Sequence, residues 1–174
     1  DTLGLPARVQ QRLTKALDQS KGLIIFSGPE HSGKSVVAIA SIKQLVDRNL
    51  DIAATNDYLT NLPGITLITP EQLAHHLAAF DALLTDISKE TAPSLFHYAD
   101  QTGLVLSFPS GEDAASLLIS LNQLDHARLW NIESSGMILN TRMIPLLCAN
   151  CRVPHLLDDK EQSLVDQILR LNGV

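Results

Sequence analysis

Eight consecutive residues carry the most legible chemistry in this sequence: Gly28, Pro29, Glu30, His31, Ser32, Gly33, Lys34 and Ser35. They satisfy the pattern G-x-x-x-x-G-K-[ST] in full. The glycines let a backbone turn tightly and come close to a ligand. The loop's N–H groups can then converge on phosphate oxygens, and a helix that follows presents its positive end. Lys34 is placed to reach the outer phosphates, and the Ser35 hydroxyl to ligate Mg²⁺. The chemistry of these residues is to hold a nucleoside triphosphate.

A second group lies further along. Phe80 to Asp86 is a largely apolar run that closes on a carboxylate. Beside a phosphate loop, an acidic residue at a neighbouring strand end holds Mg²⁺, directly or through its water, and Asp86 is the candidate. Without the loop it would read as a strand-end aspartate facing solvent. Asp81 sits at the start of the same strand, at the opposite end from the loop. Hydrolysis also needs a group that orients water. Glu90, expected in the following helix, and Glu30, inside the loop, are the available carboxylates. His31 could touch a phosphate or water.

Cys148 and Cys151 have the spacing of half a zinc site, with His155 as a third ligand and Asp158 or Asp159 as an unusual fourth. The competing reading is a reduced structural pair. A redox function needs a strand–turn–helix context, which Pro145 and Asn150 do not suggest. His76 is expected on the apolar face of a helix with Leu73, Leu77 and Phe80, and reads as a packed histidine. Its neighbour His75 points elsewhere. Trp130, with Leu129 and Ile132, reads as core or subunit contact.

The elements that must position these groups follow from pattern. Leu23 to Ser27 is continuously apolar and bounded by glycines, which predicts a strand buried on both faces. A helix is expected before it, Pro6 to Leu17, and another after the loop, Val36 to Val46. Further strands are expected at 52–55, 66–68, 82–86 and 104–108. Helices are expected from Pro70, capped by Thr69, to about Phe80, and over 89–99, 112–121 and 160–171. Residues 138–147 read as a helix, or as a strand and a turn. Strands alternating with helices of this length predict an α/β fold, a mostly parallel sheet with helices on both faces.

At 174 residues the chain suits one domain with a sizeable core, 1–174. It begins at Asp1 without a signal-peptide pattern, and is expected to be a fragment of something longer. The net charge is −6, from 13 basic and 19 acidic residues. The basic residues are scattered, which argues against a nucleic-acid groove but not against a nucleotide. Two cysteines exclude a secreted disulfide scaffold and make a cytoplasmic location the default.

These landmarks, in order, resemble the C-terminal ATPase domain of the type II secretion and type IV pilus assembly ATPases. Lys21 to Ser35 resembles that family's opening strand and Walker A loop. Leu84 to Ala92 (LTDISKETA) resembles its Walker B segment, and Thr102 to Ala114 (TGLVLSFPSGEDA) its Thr-Gly strand and histidine box. Arg142 and Leu147 to Arg152 (LCANCR) resemble the end of its ATPase core. The likeness implies a RecA-like P-loop NTPase fold, with ATP and Mg²⁺ as cofactors. It also implies assembly as a homo-oligomer (a hexameric ring) or with related ATPase subunits, and contact with inner-membrane platform proteins. That would place the chain in the cytoplasm, peripheral at the inner membrane.

The departures bear on turnover. Asp86 stands where the family carries a glutamate, Ser88 and Lys89 where it has Arg and Asp, and Ser110 where its histidine box has histidine. The acidic box is reduced to Asn56-Asp57. No arginine follows Asp86 until Arg128. Two functions compete: an ATP-binding component with weak or lost hydrolysis, and an interaction domain of the same machinery that no longer binds nucleotide. A small-molecule kinase shares the loop but would need an arginine-rich lid, which is not evident.

Overall fold

A computed structural model describes residues 4–55, 62–111, 113–125, 129, 136–144, 148 and 150–171. Packing divides the chain into two compact units, Asp1–Met143 and Ile144–Val174. The sequence reading treats both as one domain.

Among the described residues the first unit has six strands: β1 (Gly22–Ser27), β2 (Ile52–Ala54), β3 (Ile65–Leu67), β4 (Ala82–Leu84), β5 (Leu104–Ser107) and β6 (Gly136–Asn140). They form one sheet in the order β3-β2-β4-β5-β1-β6, every neighbouring pair parallel. Such a sheet needs cover on both faces, because its strands have no polar side. The chain supplies it with α1 (Ala7–Leu17), α2 (Lys34–Val46), α3 (Pro70–His76), α4 (Ala92–Gln101) and α5 (Ala114–Leu124).

Alternate residues of the central strands enter two cores. Ile24, Phe26, Leu84, Leu104 and Leu106 pack with Leu13 and Leu17 of α1 and with Val37, Ile42 and Leu45 of α2. Leu23, Ile25, Leu83 and Val105 pack with Leu95, Phe96 and Ala99 of α4 and Leu121 of α5. All six residues of β1 are buried, as its unbroken apolar run predicts. This is the α/β architecture of a RecA-like P-loop NTPase.

Several boundaries differ from the sequence reading for local reasons. α4 begins at Ala92, not Lys89, because Pro93 fits only the first helical turn and biases the residues before it away from helix. Glu90 therefore lies in the turn before α4 and not in the helix. The α3 cap is as expected: Gln72 N–H donates to Thr69 Oγ1 at 3.3 Å, and Thr69 N–H to Gln72 Oε1 at 2.9 Å. α3 tightens to a 3₁₀ turn at Leu77–Ala79. His76 is exposed, which corrects its expected place in the core. Residues 136–140 form β6 beside β1, so the strand alternative holds there and the helix does not.

In the second unit α6 spans Asp159–Leu171. Asn56, Asp57, Glu112, Arg128, Trp130, Ile132, Pro145 and Leu147 lie outside the described residues.

Candidate functional site

β1 delivers the chain to the carboxyl edge of the sheet at Ser27, and α2 starts at Lys34. Gly28 to Gly33 must bridge the two. Gly28 is buried against Ser32 and the Thr141 carbonyl oxygen, which would lie 2.6 Å from any Cβ placed there. His31 and Gly33 both adopt positive φ, 59° and 81°. Gly33 in the left-handed conformation directly precedes the right-handed first turn of α2. Neighbouring N–H groups in such a pair turn to the same side and form an anion-binding concavity. Pro29 to Val36, with Met143, line a hollow of about 560 Å³.

β6 braces the loop from behind. Thr141 N–H donates to the Ser27 carbonyl at 2.9 Å. The Thr141 and Ser32 hydroxyls lie 3.3 Å apart, and Asn140 Nδ2 donates to Ser27 Oγ at 2.9 Å. Lys34 Nζ reaches back across the loop, donating to the Gly28 carbonyl at 3.0 Å and to Ser110 Oγ at 3.2 Å. Ser35, Glu30 and His31 are exposed, and Ser32 is buried.

The acidic strand end is built differently. β4 ends at Leu84, Thr85 is buried and Asp86 is exposed. β5 separates β4 from β1, so Asp86 is two strands from the loop, and it does not line the hollow. Glu90 Oε2 accepts from Ser88 Oγ at 2.8 Å, and that bond, with the Glu90 backbone N–H, lowers its pKa. The Ser88 N–H in turn donates to Thr91 Oγ1 at 2.9 Å. Ser88, Glu90 and Thr91 thus satisfy one another in the turn that starts α4. Asp81, at the far end of β4, accepts from Asp51 N–H at 2.9 Å, a structural contact.

In the second unit Cys148 and Cys151 are both exposed and unbridged. Hydrogen bonding from Cys151 lowers the Cys148 thiol pKa. His155 Nε2 lies 2.9 Å from Glu161 Oε2, and Asp158 Oδ1 caps α6 by accepting from the Glu161 N–H at 2.8 Å. Among the described residues no three His, Cys, Asp or Glu side chains converge on a metal position. No described helix is long and apolar enough to cross a membrane.

Sequence reasoning missed two features. One is the Lys34–Ser110 contact, since 76 residues separate the partners. The other is a row of small polar residues closing successive strands: Thr55, Thr85, Ser107, Ser27 and Asn140. Thr55 and Thr85 hydroxyls bond at 2.9 Å. The Ser107 hydroxyl is buried without a hydrogen-bond partner among the described residues. The signal was visible as a hydroxyl or amide residue ending each of these apolar runs.

Known proteins resemble this chain along most of its length. The protein transport protein HofB homolog of Haemophilus influenzae is 29% identical over 162 residues, covering 86% of this chain and 35% of its own. Type II secretion system protein E of Dickeya dadantii is 26% identical, covering 92% of this chain and 35% of its own. Along most of its length the chain is similar to type II secretion and type IV pilus ATPases, from which it has diverged. It spans about a third of the length of the curated relatives it matches. No protein-family model matches it. In fold, the chain resembles the pilus retraction motor PilT, solved with bound ADP, at a TM-score of 0.62 and 17% identity; the match covers 95% of this chain and 57% of that one.

Proposed function

We propose that this chain is the nucleotide-binding part of a bacterial type II secretion or type IV pilus machine, holding Mg·ATP at Gly28–Ser35 with weak or lost hydrolysis. The observation that carries the reading is Lys34, whose ammonium spans a loop whose first residue leaves no room for a Cβ. That is the construction of a cradle that backbone and phosphate must approach closely.

Main-chain N–H groups of the loop would hold the phosphates, and Lys34 would meet the outer ones. Ser35 and Asp86 would hold Mg²⁺, which supplies charge neutralisation on the phosphates when bound. Both are exposed side chains with oxygen donors, as a hard cation requires. Turnover needs more than this: an oriented water and stabilisation of the charge that develops in transfer. A general base works best with a pKa near the operating pH, and the Glu90 pKa is lowered instead. Ser88 stands where the family resemblance expects an arginine.

The chain would act as one P-loop domain, 1–174, of a longer subunit. Such subunits would assemble with copies of themselves or with related ATPases, on the cytoplasmic side of the inner membrane against its platform proteins. Titrating the protein with ATP and Mg²⁺ while following binding and phosphate release tests the reading. Saturable binding with release well below ~1 s⁻¹, the low end for enzymes, is expected. No binding would select the interaction domain that has lost nucleotide; ordinary turnover would remove the claim of lost hydrolysis.

A further inference from the structure

Lys34 is not held by its own loop alone. One N–H of the ammonium goes to the Gly28 carbonyl at 3.0 Å and a second to Ser110 Oγ at 3.2 Å. An ammonium has three donors, so two fixed bonds leave the third, and the charge, with a defined direction. Ser110 is not a chance neighbour. It pairs with Gly28 as an isolated parallel bridge, and the Gly111 N–H lies 3.5 Å from the Gly28 carbonyl. The connection that carries it is anchored at both ends. β5 enters from the centre of the sheet, and Asp113 caps α5 by accepting from the Ser116 N–H at 2.8 Å and its hydroxyl at 2.6 Å.

We propose that Ser110 is the positioning residue for Lys34, holding its ammonium across the loop so that the outer phosphates of a nucleotide meet a cation already aimed at them. The proposal rests on the nucleotide reading above. Its physical basis is entropy: a lysine has a flexible four-carbon stem, and ordering it at the moment of binding costs affinity. A hydroxyl suffices for this, because it accepts from an ammonium without competing with phosphate as a carboxylate would.

The test is calorimetry with Mg·ATP on wild type, Ser110→Ala and Ser110→Thr, with the Lys34 Cε methylene signal followed by NMR. Ser110 is exposed, so neither substitution opens a cavity. Ser110→Ala should weaken binding about 3- to 10-fold, the range of one ordinary hydrogen bond. Its two Lys34 Cε proton shifts should merge as the side chain loosens. Ser110→Thr keeps the hydroxyl and should restore both. Affinity that is unchanged or tighter in Ser110→Ala overturns the positioning role alone, as does a loss that Ser110→Thr fails to rescue. No binding by wild type overturns the nucleotide reading and the positioning role with it.

Discussion

The ends of β1 and β4, two places on the sheet's carboxyl edge that could serve a nucleotide, are built to different standards. At the end of β1, the loop is braced by Thr141 and Asn140 from β6, and its lysine is bonded to Gly28 and Ser110. At the end of β4, Asp86 is exposed, while Ser88, Glu90 and Thr91 bond to one another. Binding phosphate draws on backbone geometry, which a buried strand and a following helix impose together. Turnover draws on side chains aimed at a reacting centre, and those can change while the fold stands. On the proposed reading, this difference would let a chain keep the cradle and lose the chemistry.

Gly28→Ala should break the better-built edge most severely. Its Cβ would lie 2.6 Å from the Thr141 carbonyl oxygen, a backbone atom that cannot turn away. Overpacking of this kind costs about 1–3 kcal/mol, and several main-chain donors would lose alignment together. A fall of about 100-fold in Mg·ATP affinity is expected by calorimetry. Gly33→Ala is the control: its Cβ would meet only the Met143 sulfur at 3.1 Å, a mobile side chain, so its cost is the left-handed backbone, about 1–2 kcal/mol. Equal damage from the two would mean that the close approach at Gly28 is not what shapes the loop. Lys34→Ala follows in size. Removing the mobile cation should weaken Mg·ATP binding about 10- to 100-fold, with an unchanged melting temperature showing that the fold is intact.

The better-built edge was also the more legible one. A continuous apolar run fixed β1 as a buried strand, and the spacing of Gly28, Gly33, Lys34 and Ser35 placed the loop between it and α2. Both are local properties of consecutive residues. The brace from Thr141 and the Ser110 contact join residues more than 70 apart, and no periodicity in a single sequence encodes them. The start of α4 was misread because Lys89 to Thr91 were taken into the helix despite Pro93, whose steric demand sets the true boundary. His76 was misplaced because its apolar neighbours Leu73 and Leu77 suggested a wider buried face than α3 has before it tightens into a 3₁₀ turn.

The weaker edge can be rebuilt. Asp86→Glu together with Ser88→Arg lengthens the carboxylate and supplies a cation beside the acidic strand end. In the assembly proposed above this should raise phosphate release by about 10-fold, a small part of what a well-placed arginine can provide. Single-turnover measurements at saturating Mg·ATP would show it. A wild-type protein already turning over at ~1 s⁻¹ or faster would mean that the β4 edge is competent as it stands.

Glu90→Gln should do least, and its silence would be informative. The Ser88 hydroxyl and the Glu90 backbone N–H hold the carboxylate in its ionised form, lowering its pKa. A group depressed in this way contributes to folding above its unfolded pKa, and the contribution is lost as pH falls through the lower, folded value. Glu90 should therefore stay charged through the mildly acidic range, and its carboxyl resonance should titrate below the ordinary glutamate midpoint. Replacing Ser88 with alanine should move that midpoint back up. A base that must accept a proton near neutrality needs the opposite displacement, so Glu90→Gln should change neither nucleotide affinity nor phosphate release by more than about 2-fold. A rate that fell tenfold or more, with a limb of the pH profile that vanished in Glu90→Gln, would restore Glu90 as the group that orients water. The β4 edge would then be a working half of the site whose hydrogen bonds rearrange when nucleotide binds.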